Sequence, residues 1–499
     1  MTVDTLIFSC SPDGPPQKLM GIHRMATEIR DAGLTCQIVH FFQFFSYTEL
    51  TDLLKNLVGN NTLVVGFSTT FWENNIQESE ILKNKTIHAV NFVKQNFPNC
   101  NIVAGGHSPT LLTSYQLPRL DAIFDGFSEG TFLKYLNAIR QNTDYPVSSY
   151  DIGTTKIYLQ QEYSDNFNFT TSSIKYTSND FIVAGEPTIL EIARGCIFKC
   201  KFCAFPLNGK KKLDFIKEDS TLTDELITNY EMFSIQHYIL SDDTFNDSTE
   251  KIERIHKIFT NLPFKIKFSC YLRLDLLHAH PEQIIMLKEM GIVGAFFGVE
   301  TFHYKAAQTI GKGLDPNKAK KLLRDLKTIH WKNDVKISVG LITGLPYETY
   351  ESYQATKDWI LDESNLVDHI NVNPLYIGNP AKGYNVNISL FQKNAADYGF
   401  YWVDSDSTWK NFNSPVKSFN EAKIIAAELF NACHDANRTH ASAFGFIQAW
   451  KVVQHLSTVT FDKLSKMDRI EYTRWKDAHF TKTNIQNYIE NYKNNFKKL

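Results

Sequence analysis

The sequence predicts an α/β protein: first a doubly wound parallel sheet, then a partial (β/α)6 barrel, then a helical C-terminal region. Three observations carry this reading. Short apolar strands alternate with amphipathic helical stretches over residues 1–141. The alternation stops in a polar interval and resumes at residue 188. After about Pro380 the pattern turns helical and aromatic. A chain of 499 residues also exceeds one ordinary core. The expected divisions are therefore 1–141, a linker over 142–187, a barrel over 188–380 and a helical cap over 381–499.

In the first division Thr5–Ser9 reads as a strand, followed by a Pro/Gly-rich loop from Cys10 to Pro16. Leu19, Ile22, Ala26 and Ile29 then recur at helical spacing, with Gly33 where a helix ends. Thr35–Phe41, Leu63–Ser68, Asn101–Gly105 and Ala122–Asp125 are the next strands, in a pattern of the Rossmann or flavodoxin type. Such sheets bind ligands at the carboxyl ends of their strands. Residues 142–187 are rich in Ser, Thr, Asn, Asp and Tyr and read as a connection with little strand. The second alternation predicts strands at Thr188–Ile192, Tyr238–Ser241, Lys265–Cys270, Gly294–Gly298, Lys336–Leu341 and His369–Leu375. Helical stretches at Pro281–Met290, ending at Gly291, and Pro316–Ile329 lie between them. Six such units fall two short of a closed eight-stranded barrel.

Lys+Arg 52 against Asp+Glu 54 gives no bulk charge that would draw nucleic acid or an anionic membrane, and neither is expected as a partner. The N-terminus lacks the pattern of a signal peptide, and no apolar run is long enough to span a bilayer. Eight cysteines are few for this length. Three of them crowd into Cys196-Ile-Phe-Lys-Cys200-Lys-Phe-Cys203, which is a ligand pattern and not a disulfide framework. The expected compartment is the cytoplasm.

The cysteine segment follows the first strand of the second alternation, on the face where barrel-like folds build their chemistry. Three nearby thiolates suit an iron–sulfur cluster, with the fourth iron left open. A structural zinc site shows two ligand pairs, and the second is missing: Cys10, Cys36, Cys100, Cys270 and Cys433 stand alone. A metal-stabilised interaction protein without catalysis is the remaining alternative.

C-x3-C-x2-C with Phe202 before the last cysteine resembles the signature of the radical S-adenosylmethionine (SAM) superfamily. The resemblance implies a [4Fe–4S] cluster on Cys196, Cys200 and Cys203, with SAM chelating the open iron and being cleaved to a 5′-deoxyadenosyl radical. It also implies a low-potential electron donor such as a flavodoxin or ferredoxin. Four further stretches are similar to the family's SAM contacts, and cover roughly Thr188 to Leu375. Asp242 and Asp243 end the second strand, where the family meets the SAM amino group. Arg273 follows the third strand and would face the SAM carboxylate. Glu300, in Gly298-Val-Glu300-Thr301, would lie near the ribose. Gly340, Ile342 and Gly344 belong to a glycine-rich stretch in which Ile342 would line the adenine. Taken singly, these residues read as a solvated turn, a surface ion pair and turn glycines.

Strand ends of the first division carry Ser68 and Thr69, then Gly105, Gly106 and His107, then Glu129. They resemble the cobalamin-binding domain of one radical SAM subgroup. The departure is that the loop Cys10-Ser-Pro-Asp13-Gly14-Pro-Pro16 offers no histidine to ligate cobalt from below, whereas His23 and His107 read as packing or capping residues. Two readings stand: cobalamin held without a lower protein ligand, or a domain that no longer binds it. The reaction implied is methyl transfer to an unactivated carbon; without cobalamin it is hydrogen abstraction leading to rearrangement, epimerisation or oxidation. The substrate, a small molecule or a peptide, would meet the C-terminal region, where Tyr401, Trp402 and Trp409 serve either the pocket or the core. Lys210-Lys211-Lys212 reads as a solvated basic turn.

Overall fold

The computed structural model describes residues 2–11, 15–70, 79–106, 120–159, 167–379, 388–403, 408–455 and 459–498. They form two compact units. One contains Met1–Thr188, Asp224–Ser234 and Lys482–Leu499; the other contains Ile189–Thr223 and Ile235–Thr481.

In the first unit, β1 (Thr5–Phe8), β2 (Cys36–Val39), β3 (Val64–Ser68), β4 (Asn101–Gly106) and β5 (Ala122–Asp125) pair in parallel. All five expected strands form, with only their ends shifted. Two more, β6 (Tyr150–Ile152) and β7 (Thr155–Leu159), extend the sheet to the order β2-β1-β3-β4-β5-β7-β6. This hairpin lies in the stretch expected to be a linker. It turns at Gly153, whose φ of 60° suits glycine; β6 is mostly exposed and β7 buries only Ile157 and Tyr158, so no long apolar run announces it.

Successive strand residues point to opposite faces. Leu6, Phe8, Val65, Phe67, Ile102 and Ile123 pack on one side, and Ile7, Ile38, Val64, Val103, Ala122 and Phe124 on the other. Helices Met20–Asp31 and Glu129–Gln141 cover the second side. The first is covered by Tyr47–Leu57, Ser79–Asn96 and the C-terminal helix Lys482–Asn495. That last helix corrects the expectation of one cap running to residue 499. Ile489, Tyr492 and Phe496 enter the apolar cluster of the first unit, where each such side chain contributes about 1.5–3 kcal/mol.

The second unit is built on β8 (Thr188–Leu190), β9 (His237–Leu240), β10 (Lys267–Leu272), β11 (Ile292–Glu300), β12 (Lys336–Thr343) and β13 (His369–Pro374). Their order in space is their order in sequence, and β9 to β13 are parallel. Helix Glu282–Met290 ends at Gly291 as expected: its φ is 99°, and a Cβ there would sit 2.2 Å from the Ile266 carbonyl. Beyond residue 388 the described chain is mostly helical, with one small hairpin of Phe400–Tyr401 and Lys410–Asn411.

One face of this sheet is buried through Cys270, Ala295, Phe297, Val339 and Ile370. On the opposite face the amino-terminal half is plugged by Ala443. Ser269 Oγ donates to its carbonyl at 2.6 Å, Ser338 Oγ accepts from its N–H at 2.8 Å, and Gly294 leaves room for its backbone. Above the plug Tyr271, Phe296, Gly298, Ile342, Asn371 and Asn373 are half-buried or exposed. Closing only the lower half leaves the carboxyl ends of the strands open for a site.

Candidate functional site

The cysteine loop is shaped by its backbone. Gly195 has φ 71°, and a Cβ there would come within 2.5 Å of Leu207 Cβ and 2.6 Å of its carbonyl oxygen. Gly209 N–H donates to the Cys196 carbonyl at 2.7 Å, and Cys203 N–H to the Cys200 carbonyl at 3.0 Å. Ala193 and Ile216 form an antiparallel bridge, so the loop is a closed excursion from β8 with its neck tied. Cys196 is buried; Cys200 and Cys203 are partly exposed. Burial pushes the Cys196 and Cys203 thiols up. Metal coordination offsets that cost by taking the thiolate.

The sulfurs have separate surroundings. Asn208 Nδ2 donates to Cys203 Sγ at 3.2 Å, and Arg273 Nη1 to Cys200 Sγ at 3.3 Å. The Cys196 thiol lies 3.4 Å from Thr244 Oγ1. Among the described residues no three His, Cys, Asp or Glu side chains converge on a single-ion site. A cubane gives each thiolate its own iron, so these three cysteines, held in one loop with donors aimed at two sulfurs, fit a [4Fe–4S] cluster.

Asp242 and Asp243 diverge. Asp242 is buried, accepts from the Ile192 and Ala193 N–H groups at 3.2 Å, and pairs with Lys251 Nζ at 2.8 Å. Lys251 is itself fully buried and also pairs with Asp247 at 3.2 Å. Asp242 therefore ties β9 to the cysteine loop. Asp243 carries the more exposed carboxylate, pushed up to about 6 by burial and by its neighbour Asp242.

Arg273 follows β10. Its Nε and Nη2 donate to Asp275 at 3.0 and 2.6 Å, and Nη2 also donates to the Gly311 carbonyl at 2.9 Å. Glu300 ends β11 beyond a register shift and has φ 68°, a strained backbone for a side chain of this size. Lys312 Nζ lies 3.5 Å from its carboxylate and donates to the Gly298 carbonyl at 2.7 Å, while burial raises the carboxyl. Gly298 and Gly340 are paired across β11 and β12, which puts Glu300 beside the glycine-rich stretch. Ile342 is half-buried on the open face. Phe202 is partly exposed in the cysteine loop.

The other glycines have intramolecular reasons. A Cβ at Gly340 would meet the Phe296 ring at 3.0 Å, and one at Gly344 (φ 86°) would meet Ala422 Cβ at 2.8 Å and the Trp409 ring at 3.0 Å. Trp409 is fully buried, with Nε1 donating to the Leu375 carbonyl at 2.7 Å, so it is a core residue. Tyr401 is exposed and Trp402 partly so. Lys210 donates to the Asp214 carbonyl at 2.7 Å and is partly buried, unlike a solvated turn.

In the first unit, register places Ser68 beside Gly105 at the carboxyl edge. Thr69 N–H donates to the Gly105 carbonyl at 2.9 Å. A Cβ at Gly105 would lie 3.2 Å from the Phe124 carbonyl, and Gly106 has φ 130°. Glu129 is buried at the start of the helix after β5. His107, Asp13 and Gly14 lie outside the described residues. His23 packs in the interior: its Nε2 is 3.0 Å from His40 Nε2, and burial lowers it to about 4.

Sequence reasoning missed Asn208, Thr244, Lys251 and Glu348. Glu348 joins the segments that follow β11 and β12: Thr301 Oγ1 donates to it at 2.5 Å, and burial pushes it up to about 7. Only the Asp247–Lys251 spacing on a helix start carried any signal in the sequence.

A radical SAM superfamily model matches residues 190–360. An uncharacterised methyltransferase of Pyrococcus horikoshii is 24% identical over 357 residues, which are 69% of this chain and 72% of that protein. Among solved structures, the radical SAM methyltransferase TsrM from Kitasatospora setae, with cobalamin and a [4Fe–4S] cluster bound, has a TM-score of 0.64 at 13% identity. It covers 96% of this chain and 99% of its own. The cobalamin-dependent SAM radical enzyme OxsB, with aqua-cobalamin bound, gives 0.59 at 14% identity over 99% of this chain and 80% of its own. At these identities the likeness is one of fold. The matched segment spans the cysteine loop, Asp243, Arg273, Glu300 and the glycine-rich stretch, so residues 190–360 are a radical SAM domain and the chain is an enzyme.

Proposed function

We propose that this enzyme is a cobalamin-dependent methyltransferase acting on an unactivated carbon. The observation that carries the reading is the extent of the fold likeness to TsrM, which takes in the first unit as well as the barrel. A [4Fe–4S] cluster with SAM supplies a 5′-deoxyadenosyl radical, and cobalamin supplies a methyl carrier. The chain's own residues do the rest. Cys196, Cys200 and Cys203 hold the cluster. Asp243 accepts a hydrogen bond from the SAM amino group, and Glu300 one from a ribose hydroxyl. Ile342 presents an apolar surface to the adenine. At the carboxyl edge of the first sheet, Ser68, Thr69, Gly105 and Gly106 form a small-residue rim that admits a nucleotide tail, with Glu129 at its border. The open upper face, with Tyr271, Phe296, Asn371 and Asn373, offers apolar and amide contacts to a small substrate.

Anaerobic reconstitution with iron, sulfide and hydroxocobalamin tests this. Cobalamin is expected to stay with the protein through gel filtration, and turnover to yield both S-adenosylhomocysteine and 5′-deoxyadenosine. Deoxyadenosine alone, with no retained cobalamin, would favour cobalamin-free hydrogen abstraction. Cys200→Ala is expected to abolish SAM cleavage while the first unit keeps its circular dichroism.

A further inference from the structure

The Arg273 guanidinium has five N–H donors, and four are committed: one from Nε and one from Nη2 to Asp275, a second from Nη2 to the Gly311 carbonyl, and one from Nη1 to Cys200 Sγ. Its flat face lies 3.8 Å from the centre of the Phe198 ring, inside the cysteine loop. Its backbone is clamped as well. Asn246 Oδ1 accepts from Arg273 N–H at 2.8 Å, and Asn246 Nδ2 donates to the Arg273 carbonyl at 3.1 Å. Asn246 is fully buried, so this clamp is rigid. A group fixed at both ends, with one N–H left, is poorly set to grip a carboxylate through two parallel bonds.

We propose that Arg273 is a positioning residue for the cluster: it donates a charged hydrogen bond to the Cys200 sulfur and raises the reduction potential of the iron that this sulfur ligates. Asn208 does the same, without charge, for Cys203. Cys196 differs, because its thiol faces Thr244 Oγ1, whose own hydrogen is given to the Asp243 carbonyl at 2.8 Å. The physical reason is charge. Taking one electron from a low-potential donor adds a negative charge to the cluster, with no bond made or broken, and donors aimed at its sulfurs stabilise that reduced state. The side-chain donors thus come from two segments, the residue after β10 and the end of the cysteine loop, and grade the three ligands from charged to neutral to none; Cys196 and Cys203 also receive backbone hydrogen bonds from Phe198 and Phe205.

The inference rests on the cluster assignment, and the experiment separates the two. Full-length protein, Arg273→Gln, Arg273→Lys and Asn208→Ala are reconstituted, and each midpoint potential is read by electron paramagnetic resonance during a redox titration. SAM binding is read from its perturbation of the reduced signal. Arg273→Gln is expected to shift the midpoint downward with SAM affinity unchanged. Arg273→Lys keeps the charge but loses the fork, and Asn208→Ala loses a neutral donor, so both shift it down by less. An unchanged midpoint in Arg273→Gln, with SAM binding weakened about tenfold or more, would make the residue a carboxylate anchor and overturn the proposal. If Arg273→Gln fails to hold a cluster, unchanged midpoints in the other two variants overturn it equally. Parent protein that binds no cluster removes the cluster assignment itself.

Discussion

At the residue scale, buried ionisable groups hold the strand ends of the second unit together. Lys251 compensates Asp242 and Asp247 where none is wet, and removing one member of such a set typically costs about 3–5 kcal/mol because the others stay buried. Glu348 is a carboxyl bridging Thr301 and the glycine-rich stretch. Its folded value of about 7 lies above its ordinary 4.5, so the folded state holds the proton more tightly. The stability it confers is complete below about 4.5 and is lost as pH rises to about 7. Glu348→Gln keeps a neutral side chain throughout. The variant is therefore expected to gain on the parent in urea midpoint between pH 5 and pH 8, and a constant difference across that range would refute a titrating Glu348. Glu348 does not stand out in the sequence, since burial arises only when distant segments close over it.

At the element scale, the cysteine loop depends on one backbone position. Gly195→Ala places a Cβ against Leu207 in a left-handed conformation. The strain is of order 1–3 kcal/mol before the clash is counted. The expected result is protein with parental circular dichroism that retains less iron after reconstitution; full iron content would show that the loop tolerates the Cβ. The strands themselves were legible, because a parallel strand buried on both faces is a continuous apolar run bounded by turn residues. The β6–β7 hairpin was not: its strands are short, β6 is mostly exposed, and only pairing with β5 buries Ile157 and Tyr158 of β7. Trp409 shows the converse. Its aromatic ring is equally consistent with pocket or core, and the contact with Gly344 decides for core.

At the scale of the whole molecule, the C-terminal helix belongs to the first unit. The Tyr492 hydroxyl accepts from His40 N–H at 2.9 Å, Tyr488 donates to Glu186 at 3.1 Å, and Lys493 pairs with Glu49 at 2.9 Å. A chain ending at Thr481 strips Ile489, Tyr492 and Phe496 from that core, about 1.5–3 kcal/mol apiece. Such a protein is expected to show a lower first melting transition in calorimetry while still taking up iron and sulfide. A melt unchanged from the parent would mean that the helix adds nothing to the first unit.

The sequence alone determined the order of strands, the two sheets and the radical SAM domain, because periodicity and motif spacing are local properties of the chain. Only the tertiary structure decided which aspartate is buried in an ion pair, what Arg273 grips, why Gly344 must be glycine and where the last helix lies. Each of these depends on segments far apart in sequence that compete for the same space, and on which polar groups are left without water when they meet.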